Sequence, residues 1–342
     1  MFLGWLLGSL GLGRAIESFN KEQILVGGAS GLVLVALATV ILPDLTAGNL
    51  MLFTSLRFIY GVLMNIVAVQ CVHVQETMPE GRKNQAVSAS IAYSVVAICL
   101  AGASSLDTDW RIEALVWYAI PLICSLQIAF PHWPQVLQSI PISFSKKLEQ
   151  PASEVKNQEM DLMDPEDQRH TIALAISFLA CGSGFFGSSY SAGQLSPNPY
   201  ESTMLLSAAD ILGDIMALSA DVWGRNKVQG CCFALAAACL MVCSVGEPGS
   251  FVVLAFAMLG RLCLDVCFTT IRVAVVAIFS ESAQTTMLPV CEFATRLGGV
   301  LAPFSGTLPT SVLCPIFAMG CAAAACTTMT LPELGRHKRL SE

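Results

Sequence analysis

The chain has 342 residues, of which 54% are hydrophobic and 13% charged, with a formal net charge of -7. Ordinary soluble domains carry about 25% charged residues, so this composition lacks the solvated surface a globule needs and excludes one. The acidic balance says little about partners, because much of it sits in one connector, 149–168, and no basic face suited to nucleic acid is present.

The apolar residues come in long blocks, not in amphipathic stripes. A transmembrane helix needs roughly 20 mostly apolar residues to cross a hydrocarbon core of about 30 Å. A membrane barrel would alternate with period two, and "CCFALAAACLMVC" at 231–243 does not. The expected class is an all-α polytopic membrane protein.

Eleven stretches reach spanning length. The first, 1–16, has no basic lead and no cleavage pattern, so it reads as a mature span and not as a signal peptide. The loop "ESFNK", Glu17 to Lys21, leads to 24–42, which Pro43 closes. The third, 50–75, carries Arg57 near its outer start and Asn65, whose amide suits a bond to a neighbouring helix. The fourth is 85–105, with Tyr93, and the fifth 112–130. Residues 131–169 form the one long gap and read as a soluble connector. Beyond it come 170–194, 202–220, 228–246, 251–278, 286–306 and 310–331, then a tail to 342. The expected domains are a first bundle, 1–130, the connector 131–169, a second bundle, 170–331, and the tail 332–342.

Orientation follows from lysine and arginine in the loops. One set of alternate loops and the tail hold 13 of them, and the other set holds only Arg111. The basic side is expected in the cytoplasm, with the connector and the tail. All 14 cysteines fall within apolar segments without metal-ligand spacing, so small-residue packing is their expected use. No metal or cofactor is expected.

An internal repeat stands out. "ESFNK" and "DVWGR", Asp221 to Arg225, both read acid-x-x-(Asn or Gly)-base between two spans, at an offset of 204. Arg57 and Arg261 repeat at the same offset. Two motifs with one shift argue for two homologous halves, an architecture of membrane transporters. Gly224 permits a tight turn with positive φ. The acids and bases, Glu17, Lys21, Asp221 and Arg225, can pair with neighbouring helix ends and lock one face. A plain positive-inside loop is the alternative.

Charges inside the spans are costly and mark functional interiors. Asp210 and Asp214 share a helical face, as do Glu292 and Arg296 one turn apart, and Asp265 and Arg272 seven residues apart. That makes four acids and two bases. Asp265 with Arg272 reads as a buried pair. Phe185, Phe186, Tyr190, Tyr93 and Phe268 are candidate aromatic walls for an organic ion.

In order and spacing these motifs resemble the major facilitator superfamily, and within it the organic ion branch, which handles organic cations, organic anions and carnitine. The resemblance rests on Arg57-Phe58-x-x-Gly61; on Glu76 and Arg82; and on Asp109-Trp110-Arg111 with Pro121. It continues through Phe185-Phe186-Gly187, Asp221-x-x-Gly224-Arg225 and Gly260-Arg261 to Arg296-x-Gly298-Gly299-x-x-x-Pro303-Phe304 and Leu331-Pro332-Glu333. It implies two helical bundles around a central cavity, moving by alternating access. Glu17, Lys21, Asp221, Gly224, Arg225, Arg57, Arg261, Glu76 and Arg82 would then belong to the gates. The position that Arg296 matches lines the cavity, with arginine in anion carriers and aspartate in cation carriers. The chain starts at what looks like the family's second span, which reads as a truncation. "AIFSESAQ" and "FPHWP" also depart from the family's loops.

The expected function is transport of small organic ions across the bilayer, anions slightly preferred, at the plasma membrane. Phe185, Phe186, Tyr190, Tyr93, Phe268 and Arg296 would touch the substrate. Two other readings of Arg296 and of the chain stand beside it: a self-neutralising pair with Glu292, and a relative that binds or scaffolds without transporting. A membrane enzyme ranks last, since no catalytic array or phosphate loop is present.

Overall fold

The computed structural model describes residues 1–18, 21–42, 46–66, 69, 88–106, 111, 165–195, 198–247, 249–279, 281–305 and 307–331. The fifth span, nearly all of the connector, Glu76, Arg82 and the tail lie outside these residues, as do the side chains of Glu17, Lys21 and Asp221.

In lipid a backbone must satisfy its own hydrogen bonds, so apolar blocks fold as helices. The described helices are α1 Phe2–Ser18, α2 Lys21–Ile41, α3 Ala47–Leu63, α4 Ser88–Ser104, α5 Pro165–Tyr190, α6 Ala192–Leu195, α7 Pro199–Ala217, α8 Ala220–Trp223, α9 Arg225–Val245, α10 Phe251–Ile278, α11 Glu281–Ser305 and α12 Thr310–Thr328. No strand occurs among the described residues. The ends follow local chemistry. Asn198 accepts from the Tyr200 amide at 3.0 Å with Pro199 at the first turn of α7. Ser250 accepts from Val253 at 3.3 Å at the start of α10. Gly224, with φ 96°, makes the break between α8 and α9, a conformation that disfavours any residue with a Cβ.

Five described segments are long and apolar enough to cross a membrane: Gln23–Ile41, Gln168–Tyr190, Arg225–Val245, Phe251–Val275 and Thr310–Thr328. Shorter apolar runs are Phe2–Gly11, Asn49–Leu63 and Ile91–Ser104. Neither α7 nor α11 is among these segments, and both carry buried charge. They hide that charge against protein. α11 packs most extensively on α5 and also on α1, and α7 packs on α4 and α10. The contacts α1–α11 and α4–α7 join the part of the chain before the connector to the part after it.

Small and polar residues set these crossings. A Cβ on Gly298 would stand 2.5 Å from the Ser183 amide nitrogen, and one on Gly182 would collide with the Thr295 carbonyl. The two glycines therefore let α11 and α5 touch backbone to backbone. Ser177 and Thr328 share a hydrogen bond of 3.2 Å between α5 and α12. Asn226 donates to the Leu331 carbonyl at 2.9 Å. Asn65 bonds across helices, donating to the Trp5 carbonyl at 3.1 Å. Pro289 and Pro303 lie inside α11, where each deletes a backbone donor that neighbouring helices make tolerable. Gly298→Val should push α11 off α5. Overpacking of this kind costs about 1–3 kcal/mol, so a lower melting temperature in detergent is expected, and an unchanged one would show that the close approach carries no weight.

Candidate functional site

Two arginines and two phenylalanines form a column between α5 and α10. Phe185 and Phe268 stack with centroids 5.5 Å apart and planes 14° apart. The Arg261 guanidinium lies 3.3 Å from the Phe185 centroid, and Arg272 lies 4.2 Å from that of Phe268. Each cation meets the electron-rich face of a ring. The column fixes both guanidiniums in the interior of the later helices.

Arg261 is 5% exposed. Its fork binds Asp210 of α7 through two bonds, Nε to Oδ1 at 2.6 Å and Nη2 to Oδ2 at 2.9 Å. Nη1 donates to the Phe185 carbonyl and to the hydroxyls of Ser188, at 2.7 Å, and Ser189, at 2.9 Å. The planar fork suits this bidentate geometry. One residue thus ties α5, α7 and α10 together. Tyr93 of α4 lies in the field of the same pair and is 55% exposed.

Arg296 is fully buried on α11. It pairs with Glu292 one turn earlier. The Trp5 ring, from α1, covers it with 3.5 Å between guanidinium carbon and ring centroid. Around that contact Phe2, Trp5 and Phe186 form a cluster, with Phe186 5.1 Å from Phe2 and 5.9 Å from Trp5. Tyr190 reaches Phe2 at 6.2 Å. Phe2 also lies over Gly299, 2.8 Å from where a Cβ would stand.

Arg272 turns toward Glu292 of α11, with 3.9 Å between Nε and Oε1. The expected pair of Asp265 with Arg272 does not form: no ion pair joins them among the described residues. Seven residues of helix separate two side chains by about 10 Å along the axis, and both find closer neighbours across the helix contacts. Glu292 is therefore shared by two guanidiniums. Asp214 accepts from Thr269 at 3.0 Å and lies beside Asp265.

Of the candidate substrate residues, Phe185 and Phe268 meet in the column, while Phe186, Tyr190 and Arg296 meet near Trp5. Arg57, a candidate gate residue, lies 5.1 Å from the Phe53 centroid. Gly224 and Arg225 stand at the start of α9. Phe2 and Trp5 were not expected. Nothing in the first span's apolar run distinguishes them, because the contact to α11 is made across the chain. Ser188 and Ser189 follow the Phe185-Phe186-Gly187 motif directly, which is the one signal that pointed near them. Among the described residues no group of His, Cys, Asp or Glu could hold a metal ion.

This architecture is the major facilitator fold, with charged and aromatic side chains collected inside a multi-pass helical membrane protein. The structure superposes on the proton:xylose symporter XylE bound to 6-bromo-6-deoxy-D-glucose with a TM-score of 0.75, at 14% identity, covering 100% of this chain and 87% of that one. The E. coli fucose:proton symporter gives 0.65 at 15% identity, covering 96% and 88%. In sequence the chain is 23% identical to "Solute carrier family 22 member 15-like" of Xenopus tropicalis, over 100% of this chain and 76% of that protein. It is also 23% identical to "Organic cation transporter-like protein" of Drosophila melanogaster, over 43% of this chain and 26% of that one. No known family profile matches. The resemblance to the organic ion branch read from the motifs agrees with these relatives.

Proposed function

We infer that the chain carries small organic ions across the plasma membrane by alternating access, with anions preferred. Two bundles, 1–130 and 170–331, enclose the path, and the connector and the tail face the cytoplasm. The observation that carries the charge preference is Glu292 shared between Arg272 and Arg296. One carboxylate facing two guanidiniums favours an anion more than a self-neutralised pair does, and an arginine fork suits carboxylate or sulfate. Organic ions as the substrate class come from the motif resemblance and from one relative's name, which specifies cations; the sign preferred here rests on the arginines alone.

Alternating access is supported by where Arg296 sits. It is sealed under Trp5 at the α1–α11 contact, so a substrate reaches it when α1 and α11 separate. Phe2 of α1 packs on Gly299 of α11 and on Phe186 of α5, which gives that contact a largely aromatic surface.

Uptake tests this reading. Cells expressing the chain should accumulate an anionic fluorescent dye faster than a cationic one, and Glu292→Gln should widen the difference by removing the one negative charge between the arginines. A cation preference in the unmodified chain would contradict it. An epitope placed at Ser153 should be labelled only after permeabilisation, and labelling of intact cells would reverse the orientation.

A further inference from the structure

Three of the four buried or nearly buried pairings among the later helices are already accounted for. Asp210 belongs to Arg261, and Glu292 to Arg272 and Arg296. Asp214 and Asp265 remain. Asp214 is fully buried and Asp265 is 5% exposed. They meet across the α7–α10 contact, with the side chain of Asp265 within hydrogen-bonding range of Asp214. Oδ2 of Asp265 lies over Gly213, 2.8 Å from where a Cβ would stand, so the absence of a side chain there brings the two carboxyls together.

Their oxygens are unequally served. The Thr269 hydroxyl donates to Oδ1 of Asp214. Oδ2 of Asp214 and Oδ2 of Asp265 have no donor. Two neighbouring buried carboxyls, each with an oxygen that lacks a donor, are an unfavourable arrangement if both are ionised. Like charges at that separation repel, and neither has water to screen it. A single proton relieves the repulsion, since one carboxyl then donates to the other.

The charges around the pair agree. Asp210 faces it from α7, Arg261 and Arg272 from α10 itself, and the Cys181 thiol from α5. Among the described residues of the later helices, four buried acids, Asp210, Asp214, Asp265 and Glu292, stand with two buried arginines, Arg261 and Arg296, and the partly exposed Arg272. One bound proton balances that set. A metal cation is a poorer occupant, because two carboxyls and one hydroxyl supply fewer oxygens than hard cations take.

We propose that Asp214 and Asp265 form a proton-binding site at the α7–α10 contact, one proton held between the two carboxyls. The site is separate from Arg296 and does not depend on which organic ion is carried. An ionisable group kept inside a membrane helix is a hallmark of proton relays, and this one sits between α10 and α7, the latter packed on α4 from the other part of the chain.

Infrared spectroscopy of the purified protein in neutral buffer reads the proton directly, because a protonated carboxyl has its own carbonyl stretch. The unmodified protein should show that band at about one carboxyl per chain. Asp214→Asn with Asp265→Asn should lose it while eluting as a folded monodisperse protein, since an asparagine pair keeps the shape and supplies its own donor. Asp265→Asn alone should lose it too, because the new amide and Thr269 both donate to an ionised Asp214. If the double variant does not fold, the single variant decides. Absence of the band from the unmodified protein, or its survival at full intensity in the variants, overturns the proposal.

Discussion

Arg261→Ala is expected to remove most folded protein from the membrane. The side chain is 5% exposed and its partner Asp210 is 3% exposed at the side chain. Truncation strands the Asp210 carboxylate, while the Phe185 carbonyl keeps the hydroxyls of Ser188 and Ser189 as donors. Removing one partner of a buried ion pair costs about 3–5 kcal/mol, against a total stability of about 5–15 kcal/mol for a typical domain. Arg261→Lys should recover only part of the loss, because an ammonium cannot bridge both carboxylate oxygens or cover the Phe185 ring with a plane. Asp210→Asn should cost less than Arg261→Ala, since the guanidinium keeps its carbonyl and serine acceptors. Thermal unfolding followed by size-exclusion in detergent gives the order. Wild-type expression and melting of Arg261→Ala would show that the clamp is not structural.

Arg296→Ala should have a different signature. Its charge is buried beside Glu292, yet Glu292 keeps Arg272 as a second guanidinium. The carboxylate is therefore not stranded, and the protein should still reach the membrane. Anion uptake should be lost, because the remaining Arg272 is stacked on Phe268 and shared with Glu292. Arg296→Asp should shift preference toward cations. Failure of Arg296→Ala to express, with rescue by a neutralising change at Glu292, would mean that the arginine serves only to compensate its neighbour.

The fold was legible because lipid imposes a length and a composition on each helix. The span read as 251–278 coincides with α10, and 228–246 and 310–331 differ from α9 and α12 by a few residues. Gly224 was readable as a turn with positive φ because the position lies between two spans and little but glycine takes that conformation easily. Pairing was legible only where it is local. Glu292 and Arg296 are one turn apart, and the structure joins them. Asp265 and Arg272 are two turns apart, and the helix holds them too far from each other to meet. Their real neighbours, Asp214 and Glu292, come from α7 and α11, and no spacing along one helix encodes them. Trp5 is the clearest omission. It is one aromatic in an apolar run, and its meaning comes from Asn65 holding its carbonyl and Arg296 lying under its ring.

The central claim is that Arg296 serves the substrate and not merely its neighbour. The double variant Glu292→Gln with Arg296→Gln removes both charges while keeping two hydrogen-bonding side chains of similar length. Its uptake of an anionic dye, normalised to surface expression, is the most direct measurement. The account predicts a well-expressed protein with anion uptake reduced to background. Anion uptake at the level of the unmodified chain would contradict it.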